Sequence, residues 1–465
     1  MIKKQLLNLC KMHNYFGVGK FLIKYYQNGG KSMKKRWVSI LLCATMIITA
    51  GLSGCGGTTN SAKKEGTEGK VHLKWAMWDY SLIDYWEDLA DEYMKTHPDI
   101  EIECVDFGSN DYSNVLATEM SGSGTEIDIV SIKDVVSYAT LIEKNAIVPL
   151  DDYISKDNVD LAKFNGVTDQ VTVDGKLYEL PFRNDVWWIF YNKDIFNEKG
   201  LPYPTNDMTW EEYDKLAREV TDTNFGSEVY GAHYHPWPST VQLLGTLDGE
   251  HSILDKKYDF MKPYYEMVLK QEDDGVCMKY PDLITEGLHY SAAFSNGNIA
   301  MMNMGSWAVT TLLTKLSSGE FDPELCGNWA IASYPHAEGV EAGTTLGAIT
   351  GLSVAQESDN KDEAWDFINW ISGEEGAKVL AKTGNFPAIS NDAVRQEISS
   401  MEGFPQDEQS LEALNYKKMY LETPYGKDLS QINVILGTYH SMIMNRECTV
   451  EEGIAKMNEE TAKIQ

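Results

Sequence analysis

Basic residues are scarce in this chain. Its 465 residues include 40 Lys plus Arg against 70 Asp plus Glu, a formal charge of −30. Nine of the basic residues and none of the acidic ones lie in residues 1–54, so the remainder holds 31 against 70, a net −39. A body this acidic repels phosphate backbones, which excludes nucleic acid as a partner. The charge is spread evenly, the pattern of a solvated surface rather than of an acidic recognition patch. Cysteine is sparse too. After Cys55 only Cys104, Cys277, Cys326 and Cys448 remain, far apart and without a C-x-x-C pair. That excludes a disulfide framework and a cysteine zinc site, and leaves open a single disulfide among the four. No H-E-x-x-H, P-loop or G-x-S-x-G occurs. Gly122-Ser123-Gly124 lacks a third glycine and follows no strand, so it is no dinucleotide turn. His233, His235 and His251 lack carboxylates or cysteines at supporting spacing, so neither a metal nor a cofactor is expected. Carboxylate pairs abound, as in any acidic protein, and single out no glycosidase. There is no internal repeat, and past the N-terminal region no segment approaches ~18 uninterrupted apolar residues, the minimum for a membrane helix.

What is present begins with an address. Met33-Lys34-Lys35-Arg36 opens a basic segment, Trp37 to Ala50 is apolar, and Leu52-Ser53-Gly54-Cys55 follows. An apolar run of this length fits a secretory signal and is short for a membrane span. The four-residue ending resembles the lipobox of bacterial lipoproteins, in which small residues fit the peptidase and the thiol forms a thioether to diacylglycerol. Residues 1–54 are therefore expected to be a signal region, with Met33 as the true start and cleavage before Cys55. Residues 55–69 are polar and glycine-rich. They read as a flexible tether spanning ~20 Å.

The stretch around which the body is organised runs from Tyr178 to Asp194, Y-E-L-P-F-R-N-D-V-W-W-I-F-Y-N-K-D. Pro181 disfavours helix at Leu180. Val186 to Tyr191 is β-branched and aromatic, which predicts a strand. Strand parity places Arg183, Asp185, Trp187 and Ile189 on one side and Val186, Trp188 and Phe190 on the other. Upstream, strands over 71–78, 100–107 and 127–132 alternate with helices over 82–97 and 112–120. This β-α-β-α-β order predicts parallel strands with right-handed crossovers. Ligands of such open sheets bind beyond the strands' carboxyl ends, where Trp78-Asp79 and Lys133-Asp134 fall. Downstream, Thr209 is the expected N-cap of a helix. Tyr230 to Pro238 is an aromatic loop, and strands are expected over 300–304, 329–334 and 351–354. Ala364, Phe367, Ile368 and Ile371 form the core stripe of a helix over 362–371. The tail from Leu411 reads as mostly helical.

These pieces arrive in an order that resembles a known family. Tyr178-Glu179-Leu180-Pro181 is followed by Tyr191-Asn192-Lys193-Asp194-Ile195-Phe196 and Gly200-Leu201, then Thr209-Trp210-Glu211-Glu212. Phe294 to Gly297, Ala300-Met301 and Gly305-Ser306-Trp307 come next, and last Ala364-Trp365, Phe367-Ile368, Gly384 and Pro387-Ala388. From about Val71 onward the chain resembles the extracellular solute-binding proteins of ATP-binding-cassette importers, in the sugar-binding branch that includes maltose-binding protein. The resemblance implies an α/β chain with the two-lobed type II fold of periplasmic binding proteins. Its lobes would be discontinuous and joined by a hinge of three crossings, near Pro181, Tyr334 and Ala377. Lobe 1 would comprise 70–181 with 334–377, and lobe 2 182–333 with 378–465. Hinge closure around the ligand would let a monomer, anchored outside the cytoplasmic membrane through Cys55, deliver its ligand to the permease.

A carbohydrate asks for aromatic faces against its C–H groups and planar polar groups for its hydroxyls. The resemblance marks Trp307 as a stacking platform, and Asp185, counted back from Tyr191-Asn192-Lys193, as an acidic ligand-binding position. From the residues themselves, Trp78 and Trp237 are further stacking candidates. Asp79 and Asp134 are further carboxylates. Arg183 either ligates hydroxyls or orients Asp185. His235 is a loop candidate, Trp187 is favoured over Trp188 by parity, and Gly347 would let backbone approach the ligand. The same fold could instead hold a peptide, polyamine or anion, though an anion asks for converging basic residues that the strand ends lack. A secreted glycan-active enzyme is the reading from another class.

Overall fold

The computed structural model describes residues 70–464 apart from 81–82, 84, 109–111, 121–125, 225–227 and 427. The signal region, Cys55, the tether and the Gly122-Ser123-Gly124 segment lie outside the described residues.

The first sheet starts as the alternation predicts. β1 (Val71–Met77), α1 (Tyr85–Thr96), β2 (Ile100–Asp106), α2 (Tyr112–Glu119), β3 (Ile129–Ile132) and α3 (Val135–Glu143) follow in turn. β1 pairs in parallel with both β2 and β3. α1 lays Trp86, Leu89, Ala90 and Tyr93 against the sheet. Those residues recur at 3.6-residue spacing, so one helix face is apolar and must be covered.

β4 (Leu180–Asn192) joins this sheet to a second one. Then come α4 (Trp210–Val220), β5 (Met301–Gly305), α5 (Trp307–Ser317), β6 (Trp329–Ser333), β7 (Thr344–Val354), α6 (Lys361–Ile371), β8 (Lys418–Leu421) and α7 (Leu429–Met444). Leu180 to Val186 pairs antiparallel with β7, whereas Trp187 to Asn192 is flanked by β5 and β6. The partner switch falls at Val186–Trp187, inside one continuous strand and beyond the Pro181 expected from the resemblance. β7 makes the return passage, pairing β8 over Thr344–Gly347 and β3 over Ile129–Ile132. The strand expected over 351–354 is thus the last third of a longer one. β7 thus runs between the two sheets, and Tyr334 is 1 % exposed in the core of the second sheet.

Parity holds along β4. Trp188 and Phe190 enter one core and Trp187, Ile189 and Tyr191 the other. Both faces of the sheet are covered by helices and loops, so the strand is apolar on both. Only Arg183 and Asp185 along it are less than fully buried. Thr209 caps α4 as expected, with a complete Thr209–Glu212 capping box. The stripe Ala364, Phe367, Ile368 and Ile371 is buried on α6. The tail departs from expectation at β8, which pairs in parallel with β7. Four residues, Lys418 to Leu421, carry too short a pattern to stand out from a helical background.

Glu179 precedes β4 and is 1 % exposed, with Oε2 lacking a hydrogen-bond partner among the described residues. Burial, helped by the Asp134 charge, pushes its carboxyl up to about 8. Unfolded glutamate titrates near ~4.3. The folded state therefore keeps a proton that the unfolded chain has released, so this group's contribution falls as pH rises from the unfolded value towards 8, and the penalty then levels off. Glu179→Gln is expected to be more stable than the parent by on the order of 3 kcal/mol at pH 8 and equal to it near pH 4. Urea unfolding at a series of pH values checks this, and a pH-independent difference would refute it.

Candidate functional site

The site is built where β4 changes sheets. Arg183 Nη1 lies 2.9 Å from Asp185 Oδ2 and donates to Oδ1 at 3.2 Å. Its Nη2 donates to Thr350 Oγ1 on β7 at 3.1 Å. Ser306 Oγ donates to Asp185 Oδ1 at 3.3 Å, and Ser306 N to the Val186 carbonyl at 2.7 Å. The turn between β5 and α5 is thereby clamped to β4. The side chains of Arg183 and Asp185 remain 20 % and 16 % exposed, enough to meet a ligand. The guanidinium also lies 6.0 Å from the ring of Tyr85 on α1. Burial of that phenol, with the opposing charges of Arg183 and Asp185 nearby, pushes it up to about 12.

An aromatic array stands beside the ion pair. Trp307, half-buried at the start of α5, packs edge-on against Trp187 at 5.7 Å and tilted against Trp237 at 6.0 Å. The close approach needs Gly305, because a Cβ there would collide with the Trp307 indole. Trp237 is 37 % exposed, a large ring left open to solvent. Tyr290 lies 6.1 Å from it. His235 packs edge-on against Trp237 at 4.3 Å. Burial, with His289 close by, lowers His235 to about 4, so it is neutral at pH 7 and shapes the loop without adding charge.

Arg183, Asp185, Trp187, Trp307, Trp237 and His235 are thus brought together. Trp187 takes part from behind: it is 1 % exposed, and its indole N–H donates to Glu422. Trp78 is 6 % exposed and packs against Trp86, which touches Tyr85. It supports the site through that ladder instead of offering a face. Asp79 sits at the end of β1 with a left-handed φ of 50°. Asp134 takes another role. Its Oδ1 accepts from Ser137 N at 2.7 Å and Ser137 Oγ at 2.6 Å, and its Oδ2 from Ser113 Oγ at 3.2 Å. A carboxylate just ahead of a helix is drawn to its unpaired N–H groups, so Asp134 is the N-cap of α3. Gly347 does not open space for a ligand. A Cβ there would collide with Met419 and with the Asp185 carbonyl, so this glycine lets β4, β7 and β8 close up.

Tyr85, Tyr290, Ser306 and Glu422 escaped the sequence reading. Tyr85 had a usable signal, lying in the first turn after the carboxyl end of β1. Glu422 had none, because it follows the unforeseen β8. Burial first, then the Asp185 charge, push Glu422 up to about 7 against the opposing Trp187 hydrogen bond.

Two α/β sheets sharing one long strand, with charged and aromatic side chains at the shared point, define a type II solute-binding protein. The family model for bacterial extracellular solute-binding proteins matches residues 81–378, and the chain belongs to that family. It is 24 % identical over 333 residues to a lactose-binding protein of Rhizobium radiobacter, covering 66 % of this chain and 72 % of that one. Among solved structures it is similar to a sugar transporter from Rhizobium etli in an open conformation. That match has 43 % identity and a TM-score of 0.83, covering 85 % of this chain and all of that one. The sugar-binding protein MalE from Xanthomonas citri shares the fold at a TM-score of 0.69 and 19 % identity, over 85 % of this chain and 97 % of that one.

Proposed function

We propose that this protein captures a carbohydrate between two closing lobes and delivers it to the permease of an ATP-binding-cassette importer. The observation that carries this reading is the Arg183–Asp185 pair, partly exposed on a buried strand beside the open rings of Trp307 and Trp237. Planar charged groups satisfy sugar hydroxyls and indole faces cover C–H groups. The names of the lactose-binding relative and the Rhizobium etli sugar transporter support the same ligand class. Asp185 and Arg183 would hold hydroxyls, Trp307 and Trp237 would stack, and Ser306 and Thr350 would keep the pair oriented. Trp187, His235 and Trp78 would support these rings. The lobes would meet along β4 and β7, lobe 1 holding β1 to β3 and lobe 2 holding β5 and β6. Lipidation of Cys55 would keep the protein at the outer face of the cytoplasmic membrane as a monomer. Its relatives are solute-binding proteins, in line with transport and not catalysis.

A thermal-shift screen of monosaccharides, oligosaccharides and short peptides tests the reading. At a free concentration ~100 times Kd, the bound sugar is expected to stabilise the fold by about 2.7 kcal/mol, which raises Tm. A shift with a peptide and with no sugar would overturn it.

A further inference from the structure

We propose that the carbohydrate lies on Ala348, between Asp185 and Glu422, two carboxyls that flank it on neighbouring strands, and that Glu422 binds the ligand as well as supporting Trp187. This rests on the carbohydrate reading above and adds the floor of the site and its second polar wall.

The three residues share one rung of the sheet. Asp185 on β4 pairs with Ala348 on β7. Gly347 pairs with Leu421 on β8, and the ladder runs one step further, with Glu422 N donating to the Gly347 carbonyl at 2.9 Å. That step brings Glu422 beside Ala348. Neighbouring strands stand ~4.8 Å apart, so the β4 and β8 backbones flank Ala348 at roughly 10 Å from each other. Residues of one rung point to the same face. The flanking residues agree on all three strands. One position along, Val186 and Leu421 enter one core. Two positions along, Trp187 and Leu346 enter the other core, and Tyr420 packs against it.

This rung differs from its neighbours in being uncovered. Ala348 is the one exposed residue among the eleven of β7. Asp185 and Glu422 on either side are partly exposed. The methyl group leaves free the space that a longer side chain would fill. Trp307, next in the chain to the Ser306 that bonds Asp185, stands beside that space as an aromatic wall. Glu422 Oε1 accepts from Trp187, and Oε2 has no hydrogen-bond partner among the described residues. Burial first, and then the Asp185 charge, push this carboxyl up, as two acids near one another require. It can therefore carry a proton and donate to a sugar oxygen, or lose it and accept from a hydroxyl.

Titration calorimetry with glucose, galactose, arabinose, lactose and maltotriose on the parent protein, Ala348→Leu and Glu422→Gln tests the proposal. Leucine at 348 projects from an exposed position, and glutamine at 422 keeps an acceptor for Trp187. Both variants are therefore expected to melt within about 3 °C of the parent. The parent's tightest sugar is expected to bind Ala348→Leu at least about thirtyfold more weakly, because the added carbons take its place. Glu422→Gln is expected to bind it about tenfold more weakly, since a neutral amide replaces an ionisable partner. A crystal of the parent with that sugar should show a ring over Ala348 and a hydroxyl within ~3.2 Å of a Glu422 oxygen. Affinity within about twofold of the parent in either variant would overturn the inference while leaving the carbohydrate reading intact. So would a ring bound elsewhere in that crystal. Binding of no sugar in the wider screen would overturn both.

Discussion

Replacing Asp185 by alanine is expected to weaken sugar binding by a factor of a hundred or more, at a moderate loss of stability. The carboxylate is one of two side chains on β4 that are not fully buried, and only part of its acceptor capacity is used by Arg183 and Ser306. Hydrogen bonds to a charged group contribute ~1.5–3 kcal/mol each, so losing two costs at least about two orders of magnitude in affinity. Sequence alone would leave stability nearly untouched. The structure changes that, because the substitution strips Arg183 of its ion-pair partner while its Nε already lacks a hydrogen bond among the described residues. Breaking a fully buried pair costs ~3–5 kcal/mol, and the residual exposure here brings this down to roughly 1–2 kcal/mol. The double variant Arg183→Met/Asp185→Ala should recover most of that stability and none of the binding. Calorimetry with the best sugar of the screen and urea unfolding read the two effects separately. Affinity retained within about threefold in Asp185→Ala would remove Asp185 from the site.

Phe190→Ala is expected to destabilise the protein by about 3–5 kcal/mol, the usual cost of deleting a buried phenylalanine. Phe190 is fully buried, lies opposite Met302 and Ile331 in the ladder, and stacks on Trp329 at 5.9 Å. These partners all belong to the second sheet. Hydrogen exchange should accordingly rise first in Met301–Gly305 and Trp329–Ser333, before Val71–Met77. Uniform loss of protection would show instead that β4 binds the two sheets into one cooperative unit.

The part of this molecule legible in its sequence is the part governed by local periodicity. Alternating strands and helices announced a parallel sheet, and β1, β2 and β3 form one. The capping residue at Thr209 and the apolar stripe on α6 could be read directly, because each depends on neighbours within a few residues. Parity along Tyr178–Asp194 separated the two faces of β4. The order of these pieces was enough to assign the type II fold and the transport family. Parity states which side chains share a face but not what that face meets. Asp134 and Asp185 look alike as acidic residues next to a strand. One is consumed by a helix N-terminus, while the other lies opposite Ala348 in the sheet and stays partly open, held by Arg183 and Ser306.

Tertiary structure alone decided the rest. It moved the passage between sheets into the middle of β4 and along β7, where pairing partners over a hundred residues away determine which sheet a backbone segment joins. It turned Gly347 from an opening for ligand into a packing contact, and Trp78 into a supporting ring. It brought Tyr85, Ser306 and Glu422 to the site from three distant segments. Sequence by itself determined most of the elements, though not β8 or the full length of β7, together with the fold class and the family, since these follow from short-range pattern and order. The composition of the cleft needed the fold, since a side chain becomes a binding group only when distant strands leave it unburied and aimed at the same place.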